Sequence, residues 1–310
     1  MTGFATRVRR EGGVHTGPYR RPRQMLSQQS VSGNASIHDD GTAKELGFSG
    51  GTIEGPTHFT QFEPLAESVW GDEWRRSGCI SAHYRAPVFE GEAVRAIATL
   101  SEERPDYAAI RMEKEDGTEV LTGSMSVGEE PPQSALRARL AKLEPLANPV
   151  LVADVPIGAR TSRIAAGVQR DVSMGDLYPF SLAEKLAVIT EPNLRFEREL
   201  PFEMISVLAN SIADQQPFAV KRPSVGLFAD QEIRLHDGPL RVGETFQITR
   251  EVIARTGSRK TESLWVEYRI FRSGKDDPAA TMLLNLATLK ASYPDYDADA
   301  RALYGEELDA

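Results

Sequence analysis

Residues 80–92 read Ile80-Ser81-Ala82-His83-Tyr84-Arg85-Ala86-Pro87-Val88-Phe89-Glu90-Gly91-Glu92, and residues 231–244 follow the same plan: Gln231-Glu232-Ile233-Arg234-Leu235-His236-Asp237-Gly238-Pro239-Leu240-Arg241-Val242-Gly243-Glu244. Each stretch is a strand, a proline-apolar turn, and a Gly-Glu pair opening a further strand-like run, 93–100 in the first copy and 245–253 in the second. Two more strands follow in both. In the first copy, 107–114 and 119–127 flank Asp116-Gly117, a dipeptide that tolerates the positive φ angles a tight hairpin needs. Their counterparts, 263–272 and 280–290, join through Ser273-Gly274-Lys275. Repetition of a whole pattern weighs more than any single motif.

Upstream of the strands each copy has one segment with apolar residues at helical spacing. Over 57–70 these are Phe59, Phe62, Ala66, Val69 and Trp70; Pro64 lies inside and should kink the helix or shift its start. In the second copy Pro201 opens a run to Ala213 at the position where proline is favoured, with Phe202, Ile205, Leu208, Ala209 and Ile212 as the stripe. A long helix wrapped by an antiparallel sheet, present twice, is an α+β chain. Between the copies, Glu129-Glu130-Pro131-Pro132, a polar helix-like run from Ser134 to Leu143, and Pro145, Pro149 and Pro156 read as a crossing segment. The expected division is a first domain over 1–130, a linker over 131–155, a second domain over 156–292 and a tail over 293–310.

The length of 310 residues suits two domains of roughly 150 each, and 40% hydrophobic residues suffice for two sizeable cores. With 45 acidic against 36 basic residues the net charge is -9, which argues against a nucleic-acid protein. The local exception is Arg7, Arg9, Arg10, Arg20, Arg21 and Arg23, either a solvated or partner-contacting arm or a patch for an anionic ligand such as a nucleotide phosphate. Cys79 is the single cysteine, so no intramolecular disulfide forms, and at the start of a strand it reads as a small buried hydrophobe. No apolar run reaches membrane-span length, and 1–7 lacks the apolar stretch of a secretion signal, so a cytoplasmic protein without membrane partners is expected.

The chemical signal lies in Ser32-Gly33-Asn34-Ala35-Ser36-Ile37-His38-Asp39-Asp40, continuing through Ala43, Gly47-Phe48 and Ile53-Glu54-Gly55-Pro56. This stretch resembles the MaoC-like and type-2 enoyl hydratases, whose motif runs Ser-Gly-Asp-x-Asn-Pro-apolar-His, then Ala, Phe-Gly, and apolar-x-His-Gly entering a central helix. Ser32-Gly33, Ile37-His38, Ala43, Phe48 and Gly55 carry the match. The likeness covers most of 20–128 and, more weakly, 155–292. It implies a tandem (double) hotdog, each copy a long helix wrapped by an antiparallel sheet, and a hydro-lyase of hydratase/dehydratase type. In such enzymes the His and the upstream Asp move protons on an acyl thioester while backbone N–H groups near the helix start hold the enolate oxygen. The proton beside a thioester is weakly acidic, so a tuned base and preorganised donors must act together.

The chain departs from that motif where the chemistry is concentrated. The Asp position holds Asn34 or Gly33, Asn-Pro has become Ala35-Ser36, and the His before the final Gly is Glu54. Asp39 and Asp40 follow His38 and precede a short helix over 42–46, where carboxylates cap free N–H groups. His58 opens the central helix. The candidate catalytic set is therefore His38, Asn34, Asp40, Glu54 and His58, with Gly33, Gly55 and Thr57 against the substrate. No spacing suggests a metal, and no cofactor is expected beyond coenzyme A or an acyl carrier as part of the substrate. Around the second helix lie Asn210, Asp214, Gln215 and Gln216 with no His nearby. That copy reads as a degenerate partner completing the sheet and shaping the acyl pocket. Open alternatives are a thioesterase, a lyase or isomerase on a non-thioester substrate, and a non-catalytic acyl-binding or partner subunit. The resemblance also implies a homo-oligomer, because hotdog sheets pair side by side.

Overall fold

The structure is a computed structural model describing residues 3–27, 29 and 36–305. Its strands are β1 (Arg9–Glu11), β2 (Val14–Thr16), β3 (Cys79–Tyr84), β4 (Val94–Leu100), β5 (Tyr107–Lys114), β6 (Glu119–Ser126), β7 (Ile164–Gly167), β8 (Gly226–Leu235), β9 (Thr245–Gly257), β10 (Thr261–Arg272) and β11 (Ala280–Leu289). The α-helices are α1 (Asp40–Glu45), α2 (Glu63–Trp70), α3 (Asp72–Ser77), α4 (Ala135–Leu140), α5 (Leu182–Val188), α6 (Phe202–Asn210) and α7 (Tyr296–Tyr304).

The strands form one sheet in the order β1-β2-β4-β5-β6-β3-β8-β11-β10-β9-β7. The order β2-β4-β5-β6-β3 of the first half is mirrored by β7-β9-β10-β11-β8 of the second. The repeat seen in the sequence is thus a spatial repeat, closed where β3 pairs antiparallel with β8, Ile80 opposite Ile233 and Ala82 opposite Gln231. The Gly-Glu pairs make the same turn in both halves. Gly91 and Gly243 take φ of 90° and 81°, a region only glycine enters cheaply, and Glu92 and Glu244 donate their N–H groups back to Phe89 and Arg241.

The helix expected over 57–70 is split. Gly55–Phe62 is a 3-10 helix, and the α-helical geometry starts only at Glu63. Pro64, which lacks an N–H, sits in the first turn of α2, where that donor is not needed. In the second half Pro201 is the N-cap of α6 and every residue of that helix is buried. A second difference is that the apolar side chains do not form two cores. One continuous cluster runs from Phe59, Phe62 and Leu65 to Ile205, Leu208 and Ile248. The halves interlock there: Trp74 stacks on Phe202 with ring centroids 4.7 Å apart, and Glu63 accepts the Phe202 N–H at the start of α6 (3.0 Å).

The segment over 131–155 is a built element. Helix α4, capped by Ser134, crosses the back of the β3–β8 seam with Leu136 against Trp265 and Leu283. Its Arg137 reaches Glu232 at 2.8 Å. Farther along, the buried Glu262 carboxylate accepts the N–H groups of Val150, Leu151 and Val152. The stretch expected as a tail contains α7, held by Tyr296 Oη donating to Glu262 (2.8 Å) and by the Lys221–Asp299 ion pair. Several arm arginines are tied to acids of the same chain: Arg20 to the buried Glu191 of the other half (2.7 Å), and Arg23 to Glu90 (2.8 Å).

Candidate active site

The two halves enclose a cavity of about 390 Å³ beside the start of the first central helix. Its apolar wall combines Ile53, Val88 and Phe48 of the first half with Met204, Val207 and Phe228 of the second. The cavity is therefore shaped by both copies.

His38 lines this cavity and is held by short-range geometry. The Thr52 N–H donates to Ile37 O (3.1 Å), bringing the Thr52 carbonyl to 2.8 Å from His38 Nδ1. A carbonyl oxygen only accepts, so Nδ1 donates, and the neutral form of the ring leaves Nε2 bare. Among the described residues no side chain or backbone group bonds that Nε2. Asp39 caps α1 through the Thr42 N–H (2.9 Å), the capping expected for one of the two aspartates. Asp40 is exposed and accepts the Gly51 N–H (2.7 Å); it does not line the cavity. Of the candidate catalytic set, Asp40 is thus a tether of the His38 loop and stands apart from the others.

Gly51 shows how tight that tether is. A Cβ placed there would lie 2.4 Å from His38 O and 2.9 Å from Asp40 Oδ1. The obstacle at 2.4 Å is backbone, so the loop itself must move. Gly51→Ala is expected to lower turnover by about 10- to 100-fold with a small change in KM, because displacements near 1 Å are costly in a positioned site. Steady-state kinetics of the variant measure it.

Glu54, Gly55, Thr57 and His58 all line the cavity with His38. Glu54 Oε1 accepts the Met25 N–H (3.3 Å), while Oε2 is buried without a partner among the described residues. Among the described residues no acceptor takes the Gly55 N–H. The Tyr84 ring packs so closely that a Cβ at Gly55 would meet Tyr84 Cζ at 2.6 Å. Asn34 and Gly33 lie outside the described residues.

His58 is 2% exposed, and its Nδ1 has no partner among the described residues. Burial, reinforced by the nearby Lys185 cation, pushes its pKa down to about 3. The ring is neutral across working pH, so it can hydrogen-bond but does not shuttle protons by titrating. The unfolded chain binds a proton at this ring below its ordinary pKa of 6.5 and the folded chain does not until about 3. Stability is therefore expected to fall by about 1.4 kcal/mol per pH unit from this group as pH drops through that window. Urea melts between pH 7 and pH 4 (roughly spanning the onset of the window) should show a shallower acid limb for His58→Gln than for the wild type.

The second half brings to the site two charged groups that the sequence reading did not single out. Lys185 and Glu203, 5% and 2% exposed, line the same cavity. Lys185 Nζ lies 3.1 Å from Glu203 Oε2 and donates to Thr57 Oγ1 (3.2 Å), joining the halves. Desolvation raises the Glu203 pKa, opposed by Lys185. Two signals marked them. Ser181 and Glu184 form a capping box that announces α5, on whose inner face Lys185 follows Leu182 by one turn. Glu203 stands two residues after Pro201, as His58 stands two after Pro56. Tyr178, on the loop before α5, also lines the cavity, with burial pushing its phenol up.

Solved structures share this architecture along nearly the whole chain. A MaoC-domain protein dehydratase from Chloroflexus aurantiacus superposes with a TM-score of 0.52 at 14% identity, over 93% of this chain and 95% of that one. A Mycobacterium tuberculosis protein described as having a double hotdog fold superposes with a TM-score of 0.50 at 12% identity, over 93% and 97%. The chain is a double hotdog. No family model matches it, and no curated protein matches it in sequence. Identities this low establish the fold, and what the double hotdog does must be argued from its site. Among its described residues no three His, Cys, Asp or Glu side chains are grouped to hold a metal ion, and no helix is long and apolar enough to cross a membrane.

Proposed function

We propose that the double hotdog is a hydratase/dehydratase-type lyase acting on an acyl thioester, carried by coenzyme A or an acyl carrier, with His38 as the proton-transfer residue. The observation that carries this reading is the Nδ1–H bond from His38 to the Thr52 carbonyl, which leaves Nε2 bare at the wall of a cavity of acyl size. The same bond persists when the ring is charged, so His38 can take a proton in one direction and return it in the other. The Gly55 N–H at the start of the central helix, without an acceptor among the described residues, is the donor assigned here to the thioester oxygen, whose charge grows as the neighbouring carbon loses its proton.

A non-catalytic acyl-binding role would be favoured by a wall made only of apolar groups. The wall instead carries His38, Glu54, His58, Lys185 and Glu203. A panel of enoyl and 3-hydroxyacyl thioesters tests the proposal: addition or removal of water between C2 and C3 is expected for at least one member. Release of free thiol in place of that change would assign a thioesterase, and no change with any member would reject catalysis on this class.

A further inference from the structure

We propose that the Ser206 hydroxyl donates a hydrogen bond to an oxygen on the acyl chain of the substrate. The site then takes acyl thioesters whose chain carries a neutral acceptor oxygen beyond C3, in preference to plain hydrocarbon chains. The inference rests on the lyase reading and names the class of substrate for it. Three side chains at the β3–β8 seam carry it. Tyr84 and Ser206 line the cavity, and Gln231, fully buried, stands behind them. Tyr84 Oη lies 3.3 Å from Gln231 Oε1, and Ser206 Oγ lies 2.7 Å from Gln231 Nε2.

This trio cannot satisfy all of its own donors. The amide presents its oxygen to one hydroxyl and its nitrogen to the other, and the nitrogen only donates. Whichever way the amide is turned, one hydroxyl hydrogen finds an acceptor in Gln231 and the other does not. Met282 Sδ, 3.1 Å from Nε2, fixes the orientation, because turning the amide would set its oxygen against the sulfur lone pairs. Tyr84 then donates to Oε1, Ser206 accepts from Nε2, and the Ser206 hydrogen is left over. Serines on helices often return that hydrogen to a carbonyl one turn back, as Ser68 does to Leu65 O (2.7 Å) and Ser211 to Leu208 O (2.8 Å). Ser206 makes no such bond, and among the described residues no other acceptor takes its hydrogen. A donor that is 1% exposed and left unbonded is costly unless the occupant of the cavity supplies an acceptor. The Tyr84 ring packs against Gly55, whose N–H is assigned to the thioester oxygen, and Ser206 lies one amide group further on. The oxygen it meets is therefore on the chain. A keto or hydroxyl oxygen fits; a carboxylate would enter without a free counter-charge, because Lys185 is already held by Glu203 and Thr57.

The test uses the full chain and enoyl thioesters of one length, one with a plain chain and the others with a keto group moved carbon by carbon away from the double bond. For at least one keto member, kcat/KM of the wild type is expected to exceed that of the plain chain by about tenfold or more, with the difference lying in KM. Ser206→Ala, which suits a helix and removes the donor, should bring that ratio to within about twofold of unity, and Ser206→Thr, which keeps a hydroxyl, should keep part of it. A wild-type ratio near unity at every position overturns the proposal, since water would then satisfy the donor beside a plain chain. A preference that survives in Ser206→Ala overturns it as well. A wild type inert on every thioester defeats the lyase reading instead, and Ser206 is then judged by binding of unreactive amide analogues of the same compounds. A keto analogue bound about tenfold tighter than the plain one, a preference lost in Ser206→Ala, supports the assignment. Equal affinity of the wild type for both overturns it.

Discussion

Replacing His38 by glutamine is expected to lower kcat by about a thousandfold while leaving the melting temperature within about 2 °C of the wild type. Glutamine can still donate to the Thr52 carbonyl, which His38 Nδ1 meets at 2.8 Å, so the loop keeps its anchor. What disappears is the only imidazole on this loop among the described residues that line the cavity, and with it the Nε2 atom that faces a substrate. An imidazole used only as a loop anchor would give the opposite pair of results, with little loss of rate and a clear loss of stability. Parallel kinetics and thermal melts therefore separate the two roles in one variant.

Breaking the Lys185–Glu203 pair on one side is expected to be the most damaging change to stability in the site. Both side chains are almost fully buried, and their contact at 3.1 Å is what compensates their desolvation. Lys185→Met should cost about 3 kcal/mol or more near pH 8, because it leaves the buried Glu203 carboxylate without its counter-charge. The cost should shrink as pH falls and Glu203 takes up a proton, since burial already raises its pKa. The paired variant Lys185→Met/Glu203→Leu should fall within about 1 kcal/mol of the wild type, because replacing a whole buried pair by apolar groups is often neutral. Denaturant melts of both variants at two pH values decide the matter. A neutral single substitution would mean that water reaches the pair.

The fold was legible because its signals are local and repeated. Asp116-Gly117 makes the hairpin it announces, with φ of 84° at Gly117, and the two Gly-Glu pairs turn alike in their two halves. Pro64 shifted the start of the first helix for the reason proline always does. The short β7 was not legible, because its four residues carry too little alternation to stand out.

The site was legible only in part. His38 sits in a contiguous motif, so its neighbours in sequence are its neighbours in space. Asp40 has the right chemistry beside it but is turned toward Gly51 by the first turn of α1, a matter of rotation about a helix start that residue order does not reveal. Lys185 and Glu203 lie 128 and 145 positions beyond Thr57 and His58 along the chain. Their meeting follows from the pseudo-twofold packing of the halves. In the sequence Lys185 looks like one more polar residue of a surface helix, and only its place one turn after Leu182 on a buried stripe hints otherwise.

Deuterium placement at C2 tests the central assignment most directly. With an enoyl thioester in D2O, the wild type is expected to deliver one deuterium to C2 as water adds, and His38→Gln to slow that delivery by about a thousandfold, in step with its loss of hydration. Deuterium arriving at C2 equally fast in the wild type and in His38→Gln would contradict the assignment of His38 as the group that carries that proton.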